Sequence, residues 1–128
     1  MERKQTYTLR YWFEWSGPCF WGADDRTRER FGYPIAAEKL PLRPETMKRA
    51  EELVQWHDQS LNWAYPPDPG PWRQDECDRF NQEAKEFLET VRRELGEEFE
   101  IVDAFVELHE DPDLDVYVRD PRNFKRKT

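Results

Sequence analysis

Apolar and polar side chains alternate over residues 6–15, near the start of the chain. The odd positions carry Tyr7, Leu9, Tyr11, Phe13 and Trp15, and the even positions are mostly polar. This period of two, rich in aromatic residues, predicts a β-strand with one buried face. Turn residues follow at positions 16–18, so residues 19–21 are predicted to return as the second strand of a hairpin.

A short helix and an extended connection are predicted after the hairpin. Residues 24–32 begin with aspartate, which suits a helix N-cap, and end with Gly32, which suits the position after a last turn. Residues 33–42 contain two prolines and are predicted to be extended, with a brief edge strand near Ile35.

Two long segments repeat apolar residues at helical spacing. The first opens at Pro44, and the second runs from Gln74 to Gly96. Both are predicted to be helices, because proline suits the first helical position and glycine the position just after a helix. The predicted buried stripe of the first contains Met47, Ala50, Leu53, Val54, His57 and Leu61. That of the second contains Cys77, Phe80, Ala84, Phe87, Leu88, Val91 and Leu95.

The last part of the chain returns to strand-like patterns. Residues 99–108 predict a strand bent near Asp103, and residues 116–118 predict a last strand that pairs back on it. Residues 120–128 are basic, have little to bury and are predicted to form a flexible tail.

The order of elements predicts one α+β domain over residues 1–119. In it, two long helices pack on one face of a small antiparallel sheet made of the hairpin and the C-terminal strands.

The segment between the two long helices, residues 61–72, is the most unusual stretch, and we call it the aromatic-proline loop. Four prolines within six residues exclude a helix or a central strand there. Its rings Trp63, Tyr65 and Trp72 either plug the loop onto the fold or form a rigid recognition surface. Trp63, Tyr65 and Trp72 are all candidate binding residues. Pinning to the fold is the favoured interpretation of the loop, and of Trp72 in particular, whereas Trp63 and Tyr65 are the positions where recognition would show. Asn62 is predicted to cap the first helix in a left-handed conformation.

Composition and charge narrow the class of partner. The length of 128 residues suffices for one domain. Aromatic residues make up 15% of the chain and charged residues 38%, and the mean hydropathy is −1.11. This composition predicts a core built from a few large rings under a polar surface. The net charge of −8 argues against direct nucleic-acid binding and favours a basic protein partner.

Residues 97–118 contain nine acidic residues and no lysine or arginine. They form a second candidate binding surface, represented by Glu107, Glu110, Asp111 and Asp113, and the alternative is an ordinary solvated face.

A third feature is Trp12, which lies on the polar side of the first strand. It either packs under a helix or forms an exposed aromatic patch with Trp21, and such a patch would mark an interface.

Residues that could carry catalysis or bind a metal are few. The two histidines, His57 and His109, would have to converge in space, and for His57 a place at the edge of the core is the expected role. Cys19 and Cys77 lack zinc-site spacing and are expected to pack as thiols, although a bridge between them stays open. Phosphate-loop, nucleophile-elbow and zinc-protease motifs are absent. We therefore expect no metal, no cofactor and no enzymatic activity.

The chain shows no secretory leader or apolar membrane-spanning run, so a cytoplasmic protein without membrane contact is expected. The leading hypothesis is an acidic protein-binding module that occludes a basic partner. Small bacterial immunity proteins and antitoxins that block nucleases act in this way, and the analogy is one of physical character rather than of motif. The alternative is a small-molecule or carbohydrate binder, or a hydrolase, with a pocket rimmed by Trp63, Tyr65 and Trp72. A third hypothesis is a homodimer that meets through the loop.

Overall fold

Residues 6–126 are described by a computed structural model, in which two long helices cover one face of a four-stranded sheet. The strands are β1 (Tyr7–Tyr11), β2 (Phe20–Gly22), β3 (Pro34–Ile35) and β4 (Phe99–Asp103). The α-helices are α1 (Asp25–Phe31), α2 (Pro44–Asp58), α3 (Gln74–Leu95) and α4 (Leu114–Arg119). The α+β class, the hairpin and the helices α1, α2 and α3 are confirmed. Residues 1–5, within the predicted domain, and residues 127 and 128 of the predicted tail lie outside the described part.

The sheet is mixed, whereas the sequence predicted an antiparallel one. Its order is β3-β2-β1-β4, and β4 runs parallel to β1, with Tyr7 opposite Phe99 and Tyr11 opposite Asp103. A parallel neighbour needs a long crossover connection, and α2 and α3 provide it by returning the chain to the starting end of β1. Alternation within a strand does not encode the direction of its partner, so this orientation had no local signal.

The C-terminal strands are shorter than predicted. The strand over residues 99–108 ends at Asp103, because the backbone of Leu108 instead bonds the side chain of Asn81 in α3. The strand predicted at residues 116–118 is wrong, since these residues belong to α4. Leu114 anchors α4 in the core, and Tyr117 N–H donates to the Asp113 carbonyl at 2.9 Å, which closes a helical turn.

The core contains the large rings that the composition predicted. Tyr11 reaches across to α3 and donates its hydroxyl to the Ala84 carbonyl at 2.8 Å, and Phe20 and Phe80 are fully buried. Cys19 and Cys77 are both buried free thiols, so no bridge joins them. Burial raises the pKa of both thiols, which keeps them protonated and unreactive.

The second face of the sheet exposes Arg10, Glu100 and Val102. Trp12 lies on this face and stacks on Trp21, with ring centroids 4.4 Å apart, while the Trp21 indole donates to the Trp12 carbonyl. Trp12 is half-buried and Trp21 is buried. The predicted binding residue Trp21 is only 5% exposed, because the rings of Trp12 and Tyr33 pack on it. Among residues 6–126, no helix is both long and apolar enough to cross a membrane.

Candidate functional site

The backbone of the aromatic-proline loop is fixed to the end of α2 and the start of α3. Pro69 is fully buried, and a methyl group on Gly70 would overlap the carbonyl oxygen of Ser60. Trp72, only 9% exposed, packs its ring on Trp56 and Phe80 with centroid distances of 5.7 and 5.6 Å. This C-terminal half of the loop is pinned to the core. The structure thus places the predicted binding residue Trp72 largely inside the fold.

Asn62 organises the other half of the loop, although not as the left-handed helix cap that was predicted. Helix α2 ends earlier, at Asp58, and the only non-glycine residue among residues 6–126 with a positive φ is Ser16. The side-chain oxygen of Asn62, Oδ1, accepts hydrogen bonds from the backbone N–H groups of Ala64 and Tyr65, at 3.1 and 3.2 Å. Its amide nitrogen donates to the Pro69 carbonyl at 3.2 Å and to the Tyr117 hydroxyl at 3.0 Å. One side chain thereby ties the loop to itself and to α4.

Trp63 and Tyr65 project from this fixed backbone into solvent. Their side chains are 55% and 58% exposed, the values expected of recognition residues rather than of core plugs. The indole N–H of Trp63 donates to the Asp58 carbonyl at 2.6 Å, which holds the orientation of the ring. Large rings held in place lose little conformational entropy on binding, so the arrangement suits a pre-organised contact surface.

Helix α4 extends this surface with apolar residues that the sequence did not single out. Its exposed Val118 lies across from Trp63 in a groove of about 350 Å³. Apolar side chains form most of the groove wall: Leu61, Trp63, Pro69, Pro71, Leu114, Tyr117 and Val118. The spacing of Leu114 and Tyr117, three residues apart after an aspartate, was the available sign of a helix.

The four predicted acidic binding residues are all paired within the chain. Glu107 pairs with Lys85, and Glu110 accepts the backbone N–H of Gln74 at 2.9 Å. Asp111 and Asp113 both hold the guanidinium of Arg126, at 2.6 and 3.0 Å. The pKa of Asp111 is lowered by the hydrogen bond from that arginine.

Each of these exposed ion pairs contributes at most about 1 kcal/mol to the free energy of unfolding. Their main effect is therefore to position residues 107–113. Arg126 also donates to the Pro67 carbonyl, at 2.9 Å. Arg126, in the segment predicted to be a flexible tail, therefore contacts the aromatic-proline loop. The free acidic charge of the segment lies elsewhere: within residues 6–126, Glu97, Glu98 and Glu100 form no ion pair.

The two histidines do not share a site. His57 is 3% exposed and lies among the rings of Phe13, Trp15 and Phe80, and its Nδ1 atom has no partner among the described residues. His109 is exposed and lines a separate cavity of about 400 Å³. Trp72 lines that cavity as well, whereas Trp63 lines the groove beside α4, so the three loop rings do not rim one pocket. Within residues 6–126, no group of three or more His, Cys, Asp or Glu residues is placed to hold a metal.

His57 makes the stability of the fold depend on pH. Burial lowers the pKa of His57 from an ordinary value of 6.5 to about 4, against a small opposing effect of the Asp58 carboxylate. Between these two pH values the unfolded chain binds a proton at this imidazole and the folded chain does not. Stability is therefore expected to fall as the pH drops through this range, by up to about 3 kcal/mol for this group alone.

Urea denaturation of the wild type and of His57→Phe, at pH values between 4 and 7, tests this expectation. Phenylalanine keeps an aromatic ring in the cluster, removes the unpaired nitrogen and cannot titrate. Carboxylates titrate alike in both chains, so the difference between the two pH profiles reports the imidazole. His57→Phe is expected to lose less stability on acidification, and parallel profiles would contradict the assignment.

Comparison with known proteins identifies one family. A family model described as Serratia CdiI immunity protein-like matches residues 7–104, about three quarters of the chain. The matched region runs from β1 to just beyond β4 and includes the whole aromatic-proline loop, while α4 follows it. No curated protein matches the chain.

Proposed function

The chain belongs to the Serratia CdiI immunity protein-like family, and from this premise we propose that it neutralises a basic toxin by covering the toxin's active surface. Family membership supports an immunity-type role in which the partner is another protein. The basic character of that partner and the residues that contact it are our proposal.

The main support for the proposal is that Trp63 and Tyr65 are exposed on the aromatic-proline loop, whose backbone is otherwise fixed. Asn62, Gly70 and Trp72 hold the backbone, so the two rings are presented without a large entropic cost on binding. Tryptophan and tyrosine in such positions dominate the binding energy of protein interfaces. The apolar groove beside Trp63 provides a place for a partner side chain.

Charge supports a basic partner. The net charge of −8 attracts a cationic protein and orients its approach. Glu97, Glu98 and Glu100, which form no ion pair with any residue from 6 to 126, add a local negative field. A toxin that cleaves nucleic acid needs a cationic surface for the phosphate backbone. An acidic protein bound over that surface would exclude the substrate by steric and electrostatic occlusion.

The test uses the product of a neighbouring gene that is toxic when expressed alone, purified as a catalytically inactive variant and called the toxin below. The two proteins are expected to form a stoichiometric complex, and production of this chain is expected to rescue growth of cells that express the active toxin. The association rate constant should fall at least about tenfold between roughly 20 and 500 mM salt, because salt screens steering between opposite charges. Absence of a complex would refute the function, and a salt-independent association rate would refute the basic partner.

A further inference from the structure

The two edges of the sheet differ in how they are protected. The β3 edge consists of two residues, one of which is Pro34, and a short proline-containing strand is a common way of blocking unwanted pairing. The β4 edge is five residues long and contains neither proline nor lysine. Within residues 6–126, β4 pairs with β1 alone, so the backbone groups on its outer side form no ladder with a second strand.

The hydrogen-bonding register shows which backbone groups face outward. Ala104 N–H donates to the Tyr11 carbonyl at 3.0 Å, and Tyr11 lies opposite Asp103 in a parallel pair. In a parallel ladder, the residue directly opposite sends its own N–H and C=O to the other side. The backbone groups of Phe99, Ile101 and Asp103 therefore point to the free edge, and those of Glu100 and Val102 bond β1.

The side chains around this edge define the strand that it would accept. Glu97, Glu98 and Glu100 are exposed and have no ion pair among the described residues, and Val102 is 42% exposed beside them. A second copy of β4 would bring these glutamates against one another, which disfavours self-pairing. A strand that carries lysine or arginine opposite Glu100 and an apolar residue opposite Val102 would match both charge and surface.

We propose that β4 accepts an extended, cationic segment of the toxin as a fifth strand of the sheet. This inference rests on the proposed function, and it adds a second contact to the one made by Trp63 and Tyr65. Backbone hydrogen bonds to Ile101 and Asp103 would hold the segment, and the glutamates would select its charge.

Amide hydrogen exchange of the wild-type complex provides the direct test. On binding the inactive toxin, the amides of Ile101 and Asp103 are expected to slow at least about tenfold, while those of Glu100 and Val102, already bonded to β1, change little. A complex in which Ile101 and Asp103 exchange as fast as in the free chain would overturn the fifth strand and leave the proposed function standing. Absence of a complex would overturn both. Protection of the same amides without toxin, rising with protein concentration, would assign the edge to a second copy instead.

A pair of variants tests the same edge through affinity. Asp103→Pro removes the outward N–H, and the matched Asp103→Ala keeps it; both lose the hydrogen bond that the Asp103 carboxylate accepts from Phe105 N–H. Asp103→Pro is expected to bind the toxin at least about tenfold more weakly than Asp103→Ala, because one bond to the added strand is lost. Equal affinities of two variants that melt at similar temperatures would overturn the inference.

Discussion

Replacing Trp63 with alanine is expected to weaken toxin binding by at least about thirtyfold while the fold remains intact, the loss typical of a binding hot spot. The ring is 55% exposed, so its removal leaves no cavity in the core. Its one hydrogen bond, to the Asp58 carbonyl, limits the loss of unfolding free energy to about 1 kcal/mol. Affinity is measured by calorimetric titration of the inactive toxin, and stability by urea denaturation.

Tyr33→Ala is the matched control for this experiment. Tyr33 is 50% exposed, close to the value for Trp63, but it lies beside the β3 edge and packs on Trp21 and Arg28. Its removal is expected to change the affinity less than about threefold, as is usual for residues outside an interface hot spot. A Trp63→Ala protein that binds as tightly as the wild type, or that has lost several kcal/mol of stability, would show that the ring is structural.

The same substitution at Trp72 is expected to have the opposite effect. Trp72 is buried against Trp56 and Phe80, and its loss should lower the free energy of unfolding by about 3–5 kcal/mol, the cost typical of truncating a large buried ring. Urea denaturation at pH 7 measures the change, with Trp63→Ala as the internal comparison. A loss below about 1 kcal/mol would mean that the loop does not depend on this anchor.

Toxin binding by Trp72→Ala should also weaken, because the fixed position of Trp63 and Tyr65 depends on the pinned half of the loop. This loss is expected to shrink when the measurement is made at lower temperature, where more of the variant population keeps the loop docked. The Trp63→Ala defect removes contact surface directly, so it should persist at the lower temperature.

Local sequence pattern was sufficient for the elements whose signals lie within one segment. The stripes that contain Ala50 and Phe80 predicted α2 and α3, because an amphipathic helix of this length repeats its signal over several turns; only the end of α2, at Asp58 rather than near Leu61, differs. The prolines of the aromatic-proline loop limited its conformations. The prediction that Trp72 is pinned matches its burial. Trp63 and Tyr65 are exposed, and their role in recognition stays a prediction.

Features that depend on distant partners were not predictable in this way. The parallel direction of β4 depends on the path of the intervening helices, and alternation in residues 99–103 is the same for either direction. Residues 116–118 are too short to distinguish a strand from the single turn that Leu114 anchors. Asn62 bonds Tyr117, which lies 55 positions away, and no local pattern indicates such a contact.

The ion pairs of the acidic segment also depend on residues that are distant in the sequence. The acidic run over residues 97–118 was visible in the sequence, but its internal neutralisation was not. Arg73 pairs with Asp115 and Lys85 with Glu107, across 42 and 22 positions. In the part of the chain that the structure describes, the exposed acids of this run that form no ion pair are Glu97, Glu98, Glu100 and Asp103. They could be recognised only after the paired residues were known. These unpaired acids therefore lie nearer the β4 edge of the sheet than the acidic binding residues predicted from the sequence.

The most direct test of the central claim is a calorimetric titration of the inactive toxin with the Trp63→Ala, Tyr65→Ala double variant. Both rings are exposed on a loop that other residues hold, so the double variant is expected to stay folded and to lose affinity by at least about a thousandfold. Tyr33→Ala, titrated alongside, is expected to bind like the wild type. A folded double variant that binds the toxin within about threefold of the wild-type affinity would contradict the claim that this loop is the recognition surface.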